Sequence, residues 1–184
     1  MIEPEDKVAA VVDAAGGTLV SRVRLQKTVY LLDQLGLGSG FEFEYHHYGP
    51  YSRDLDIATG DARALGVVRE EIRHRASDGA SYSAFILPGP GSSKEEAFGV
   101  LGRTQAAALV RKFAETHVTV LELAATVDWL WRHEGCADWR AEIARRKPLK
   151  VGSGRLDRAI ALLDDLGLRP SAAVGAETFV AQAS

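Results

Sequence analysis

A single cysteine, Cys136, excludes an intrachain disulfide and a cysteine-built zinc site. No apolar run approaches the roughly 20 residues that a membrane-spanning helix requires. The opening residues MIEPEDK are acidic, which argues against a secretory leader. The expected setting is therefore cytoplasmic, with no membrane contact. Serine and cysteine nucleophile motifs, HExxH and a complete phosphate-binding loop are all missing. GPGSSK at 89–94 lacks the full loop spacing, and GLGSG at 36–40 follows a helix and precedes a strand, the reverse of a dinucleotide-binding turn. Aromatics are scarce at 8%, so their clustering in FEFEYHHYGPYS at 41–52 stands out.

What is present suits one domain with a helical extension. The 184 residues are 46% hydrophobic, enough for an ordinary core. The net charge of −3 is unevenly spread. Residues 1–90 hold 9 Lys/Arg against 13 Asp/Glu, whereas residues 91–184 hold 13 against 12. The one clearly basic stretch runs from Arg140 to Arg158 and includes Arg140, Arg145, Arg146, Lys147, Lys150, Arg155 and Arg158.

Periodicity and capping predict helices over about 3–15, with Pro4 and acids in the first turn, and from a Ser21 cap through Leu35. Phe41–Tyr48 alternates as one strand that stops at Gly49-Pro50. Ser52 then caps a third helix that Gly66 closes. Val67–Arg75 and Tyr82–Leu87 read as a hairpin. Further helices are expected at about 103–115, 119–132, 139–146 and 155–166. The fold class is α+β and mostly helical, with a winged-helix-like N-terminal module over 1–88, a linker at 89–102, a helical extension at 103–168 and a flexible tail at 169–184.

Several residues invite chemistry. His46 and His47 are neighbours on a strand and point to opposite faces, so they cannot share a metal. His133 and Cys136 have metal-like spacing, but two further ligands are missing nearby. Trp129 and Trp131 lie about 200° apart on a helix, which predicts that one of them faces a partner subunit, as in a homodimer. No metal, cofactor or catalytic residue is expected. The third helix, where a winged helix reads DNA, pairs Arg53 and Arg63 with Asp54, Asp56 and Asp61, a poor match for phosphates. Tyr45, His47, Tyr48, Tyr51 and Arg53 are accordingly the candidate contacts for a protein partner. Arg140, Arg145, Arg146, Lys147 and Lys150 are the candidate contacts for nucleic acid, which is not the favoured ligand. That basic run is expected to be solvated, so that charge reversal at Arg145, Arg146 and Lys147 leaves the fold intact.

RLQKTVYLLDQLGL at 24–37, FEFEYHHYGPYSRDL at 41–55 and LGVV at 65–68 together resemble the YwgA-like proteins and, more distantly, the SocA-like (Panacea) antitoxin domain. LELAATVDWLW at 121–131 with RRKPLK at 145–150 is similar to the helical second part of the YwgA-like group. The resemblance implies a winged-helix fold, a defence-linked context and, from the Panacea group, neutralisation of a toxin by binding. It implies no catalytic residues. The expectation is thus a non-enzymatic interaction module, antitoxin-like or an adaptor, with a DNA-binding transcription regulator acting through residues 140–158 as the alternative.

Overall fold

The computed structural model describes residues 2–89 and 95–170. It is α+β and mainly helical: α1 (Pro4–Ala14), β1 (Thr18–Val20), α2 (Arg22–Gln34), β2 (Glu44–His46), β3 (Gly49–Tyr51), α3 (Arg53–Ala64), β4 (Arg69–His74), β5 (Ser81–Ile86), a kinked 3-10 segment (Glu95–Leu101), α4 (Arg103–Glu115), α5 (Val118–Arg132), α6 (Trp139–Arg146) and α7 (Arg155–Asp165). No described helix is long and apolar enough to cross a membrane.

The helix starts follow local chemistry. Ser21 accepts from the Arg24 amide, Ser52 from Leu55 and Asp138 from Ala141, each oxygen satisfying one otherwise orphaned N–H. The expected hairpin forms as β4 and β5, with Ile72 opposite Ser83. Both expected strands are present, but β5 also pairs with β1, so the sheet order is β1-β5-β4. TLV at 18–20 is too short for its alternation to register in the sequence. Glu70, nearly buried at the hairpin base, pairs with Arg22 at 3.1 Å and Arg63 at 2.8 Å, tying the sheet to α2 and α3.

The expected strand Phe41–Tyr48 is shorter than its pattern. Only Glu44–His46 is in a sheet, and it folds back on Gly49–Tyr51 through a two-residue turn, with Tyr45 opposite Pro50. Pro50 has no N–H to offer, but a two-stranded ribbon leaves one side of each strand unpaired, so the proline is accommodated. The Gly-Pro pair therefore continues a second strand rather than ending the first.

One continuous apolar core joins the N-terminal elements to the C-terminal helices, from Val8 and Leu31 to Phe113, Leu123 and Leu163. The 3-10 segment contributes Phe98 to it, and residues 90–94 of the expected linker and 171–184 of the expected tail lie outside the described residues. At its centre lies α5, packed by α2, β3, α6 and α7, so residues 120–130 are all buried. This placement alters the expectation for the tryptophans. Trp129 is buried and stacks on His133 with ring centroids 4.2 Å apart, and Trp131 is half-buried against the same core. A helix packed on several sides can thus bury one of two residues 200° apart and half-cover the other.

Candidate functional site

The turn between β2 and β3 is held from below by α2. Gln26 uses its side-chain amide like a strand backbone: Nε2 donates to the Ser52 carbonyl at 2.9 Å, and Oε1 accepts from the Ser52 amide at 2.8 Å. Lys27, 1% exposed, donates its Nζ proton to the Pro50 carbonyl. Adjacent polar residues in an otherwise apolar helix thus secure the two carbonyls on either side of Tyr51. On its other side the turn rests on α5. Gly49 has φ +83°, and a Cβ there would run into Thr126 Oγ1.

Beside that turn, α5 carries Glu122 into the interior. The loop after α6 brings two lysines to it. Lys147 Nζ lies 2.7 Å from Glu122 Oε1 and donates at 3.0 Å to the His47 carbonyl. Lys150 Nζ lies 2.8 Å from both carboxylate oxygens. Lys27 is the third ammonium in the group, coupled electrostatically to Glu122, Lys147 and Lys150. Two ammonium groups therefore contact one carboxylate, with Lys27 close enough to feel its charge, in a place where only Lys150 has appreciable exposure.

The electrostatics follow from burial. Desolvation pushes the Lys27 ammonium from 10.5 down to about 7, opposed by the attraction of Glu122. Lys147 moves down for the same reason, against its bond to Glu122. Below pH 7 folded and unfolded chains both carry the Lys27 proton, and the cost of burying the charge is fully felt. Between pH 7 and 10.5 only the unfolded chain keeps it, so the folded state gains up to about 1.4 kcal/mol per pH unit. Urea unfolding at pH 7 and pH 9 should show wild-type stability rising by about 2 kcal/mol more than that of Lys27→Met, which has no proton to lose. Identical slopes would refute the assignment.

A second polar group lies further along α5. Tyr30 donates its hydroxyl proton to Asp128 Oδ2 at 2.8 Å, and Arg132 Nε donates to Oδ1 at 2.6 Å. Burial, then the neighbouring carboxylate, drives the Tyr30 phenol well above its ordinary value, so it stays a donor. Arg146 links this region to the turn. It pairs with Glu134 at 2.6 Å and Glu142 at 2.6 Å, and its guanidinium lies 4.6 Å from the Tyr45 ring centroid.

The two sets of candidate residues read separately in the sequence meet here. Arg146 covers Tyr45, Lys147 holds His47, and Lys150 lies 4.7 Å from the Tyr48 ring centroid. Tyr48 is 50% exposed and His47 stands edge-on to it at 4.9 Å. Tyr51 faces His46 instead, with centroids 4.9 Å apart, and Arg53 is exposed at the start of α3. Arg140 stacks on Trp139, and Arg145 pairs with Glu142 at 2.7 Å. The basic run is not a uniformly solvated face. Lys147 is 5% exposed and salt-bridged, because the loop folds inward to meet Glu122, so reversing its charge would set one carboxylate against another. Glu122, Asp128, Gln26 and Lys27 were missed in the sequence as site residues. The available signal was polarity at positions that the helical pattern assigns to the core. Among the described residues no group of three His, Cys, Asp or Glu side chains is placed to hold a metal.

No family model matches the chain. Over 132 residues it is 29% identical to a DNA ADP-ribosyl glycohydrolase of Thermus aquaticus, a match that covers 67% of this chain and 34% of that protein. The chain thus spans about a third of the length of the relative. That relative bears the name of an enzyme, which overturns the expectation of a non-enzymatic interaction module or transcription regulator.

Proposed function

We propose that this chain serves the hydrolytic removal of ADP-ribose from DNA, and that the turn over Glu122 is the face that meets the substrate. The observation that carries this reading is the likeness to a DNA ADP-ribosyl glycohydrolase. It is supported by the convergence of a buried carboxylate, a partly exposed ammonium and an exposed ring at this turn. Within the same reading, the order helix, helix, short hairpin, helix, hairpin suits a winged-helix-like module of the YwgA-like type, with the C-terminal helices forming its second wall.

Cleavage of a glycosidic bond by water requires a group to take the proton of the attacking water and one to protonate the departing atom. Glu122 Oε2 is bonded to Lys150, while Oε1 is shared by Lys147 and Lys150. A substrate phosphate that draws Lys150 outward frees Oε2 to accept the water proton. As oxygen adds to the anomeric carbon and the bond to DNA breaks, an ammonium of the cluster returns a proton to the DNA atom released.

The test is direct. Incubation of an ADP-ribosylated oligonucleotide with the full chain should liberate free ADP-ribose, measured chromatographically. Glu122→Gln, which keeps an oxygen to accept from Lys147 and Lys150, should lower the rate by about 100-fold per folded molecule, the folded fraction being measured by circular dichroism. No release by the wild-type chain, or undiminished release by a folded Glu122→Gln, would overturn the reading.

A further inference from the structure

The seam around Glu122 sets two ammonium groups, Lys147 and Lys150, against one carboxylate, with the Lys27 amine behind them. Lys27 is bonded to the Pro50 carbonyl instead, and Lys27 and Lys147 are buried. Burying an ammonium group without a counter-charge is costly, so a surplus of this kind favours an anion arriving from solvent. The only one of the three lysines with substantial access to solvent is Lys150, and it lies against the Tyr48 ring. That ring is half-exposed and braced edge-on by His47. A fixed aromatic face beside an ammonium with surplus positive charge behind it matches a ligand that joins a flat base to a phosphate.

We propose that Tyr48 and Lys150 form a subsite for the adenosine diphosphate portion of an ADP-ribosyl group, with the adenine stacked on Tyr48 and the pyrophosphate held by Lys150. This rests on the proposed reaction for its choice of ligand. The pyrophosphate replaces Glu122 as the partner of Lys150, and Lys147 keeps Glu122 in place meanwhile. The new negative charge also favours the protonated form of the buried lysines, so binding near neutral pH takes up protons.

Isothermal titration of the full chain at pH 7.5 and about 50 mM salt, where screening is weak, separates the contributions. ADP-ribose and ADP should bind with similar affinity, and adenosine and inorganic pyrophosphate should each bind at least about tenfold more weakly. Tyr48→Ala, at an exposed position, and Lys150→Met should each cost about tenfold or more, while Arg145→Ala should stay within about twofold of wild type. Heats measured in buffers of different ionisation enthalpy should reveal proton uptake. Binding undiminished in both variants, or no binding at millimolar ADP-ribose, overturns the subsite. So does competition on equal terms by an unmodified single-stranded oligonucleotide, which would assign the surface to the DNA strand. Binding as expected with no ADP-ribose released removes the proposed reaction alone. Release with unchanged kinetics in Tyr48→Ala and Lys150→Met removes the subsite alone.

Discussion

Glu122→Leu is expected to lose about 3–5 kcal/mol of folding stability, the cost of leaving a buried charge without its partner. Glu122 neutralises Lys147 directly at 2.7 Å and offsets the desolvation of Lys27, and both lysines remain buried when it is removed. Against a typical domain stability of about 5–15 kcal/mol, such a loss approaches unfolding. Chemical denaturation would measure it. The converse double variant, Glu122→Leu with Lys147→Met, should recover part of the loss, because two apolar groups can replace an ion pair at little cost. A loss below about 1 kcal/mol in the single variant would mean that water reaches the pair and screens it.

Gly49→Ala is the second large effect. The backbone at +83° is a conformation that side-chain-bearing residues adopt at a cost of about 1–2 kcal/mol. The added methyl also meets Thr126 Oγ1, with the Glu122 carbonyl 3.9 Å away on the same helix. Overpacking of this kind adds about 1–3 kcal/mol, so a total loss of about 2–5 kcal/mol is expected in thermal or urea unfolding. The double variant Gly49→Ala with Thr126→Ala should regain the steric share and keep the conformational one. No regain would show that the contact with α5 is not what limits the position.

Much of the architecture was legible along the chain. Ser21 and Ser52 mark the starts of α2 and α3, and the helices at 103–115, 118–132, 139–146 and 155–165 fall close to where periodicity set them. These features depend on neighbours in sequence. The β2–β3 ribbon was read as one strand because Phe41 and Phe43 continue its alternation, although they pack on the core outside any sheet. The seam at Glu122 left still less trace. Lys147 and Lys150 sit in a run of bases whose ordinary fate is solvent, and their partner lies 25 and 28 residues away in an apolar helix. Only a full account of what surrounds α5 shows that its polar residues face inward. The same distance explains why the aromatic turn and the basic stretch appeared as two sites, although one covers the other in space.

Lys147 also closes a circuit of 100 residues when it reaches the His47 carbonyl. Contacts of such long range reward the chain only after most of its conformational freedom has been given up. The seam is therefore expected to close late in folding, together with the α2–α5 contacts of similar span such as Tyr30 to Asp128, and to act as a latch. A latch set late lies beyond the folding barrier, so weakening it hastens unfolding and leaves the speed of folding almost untouched. Its weight is therefore felt in how long the folded chain persists.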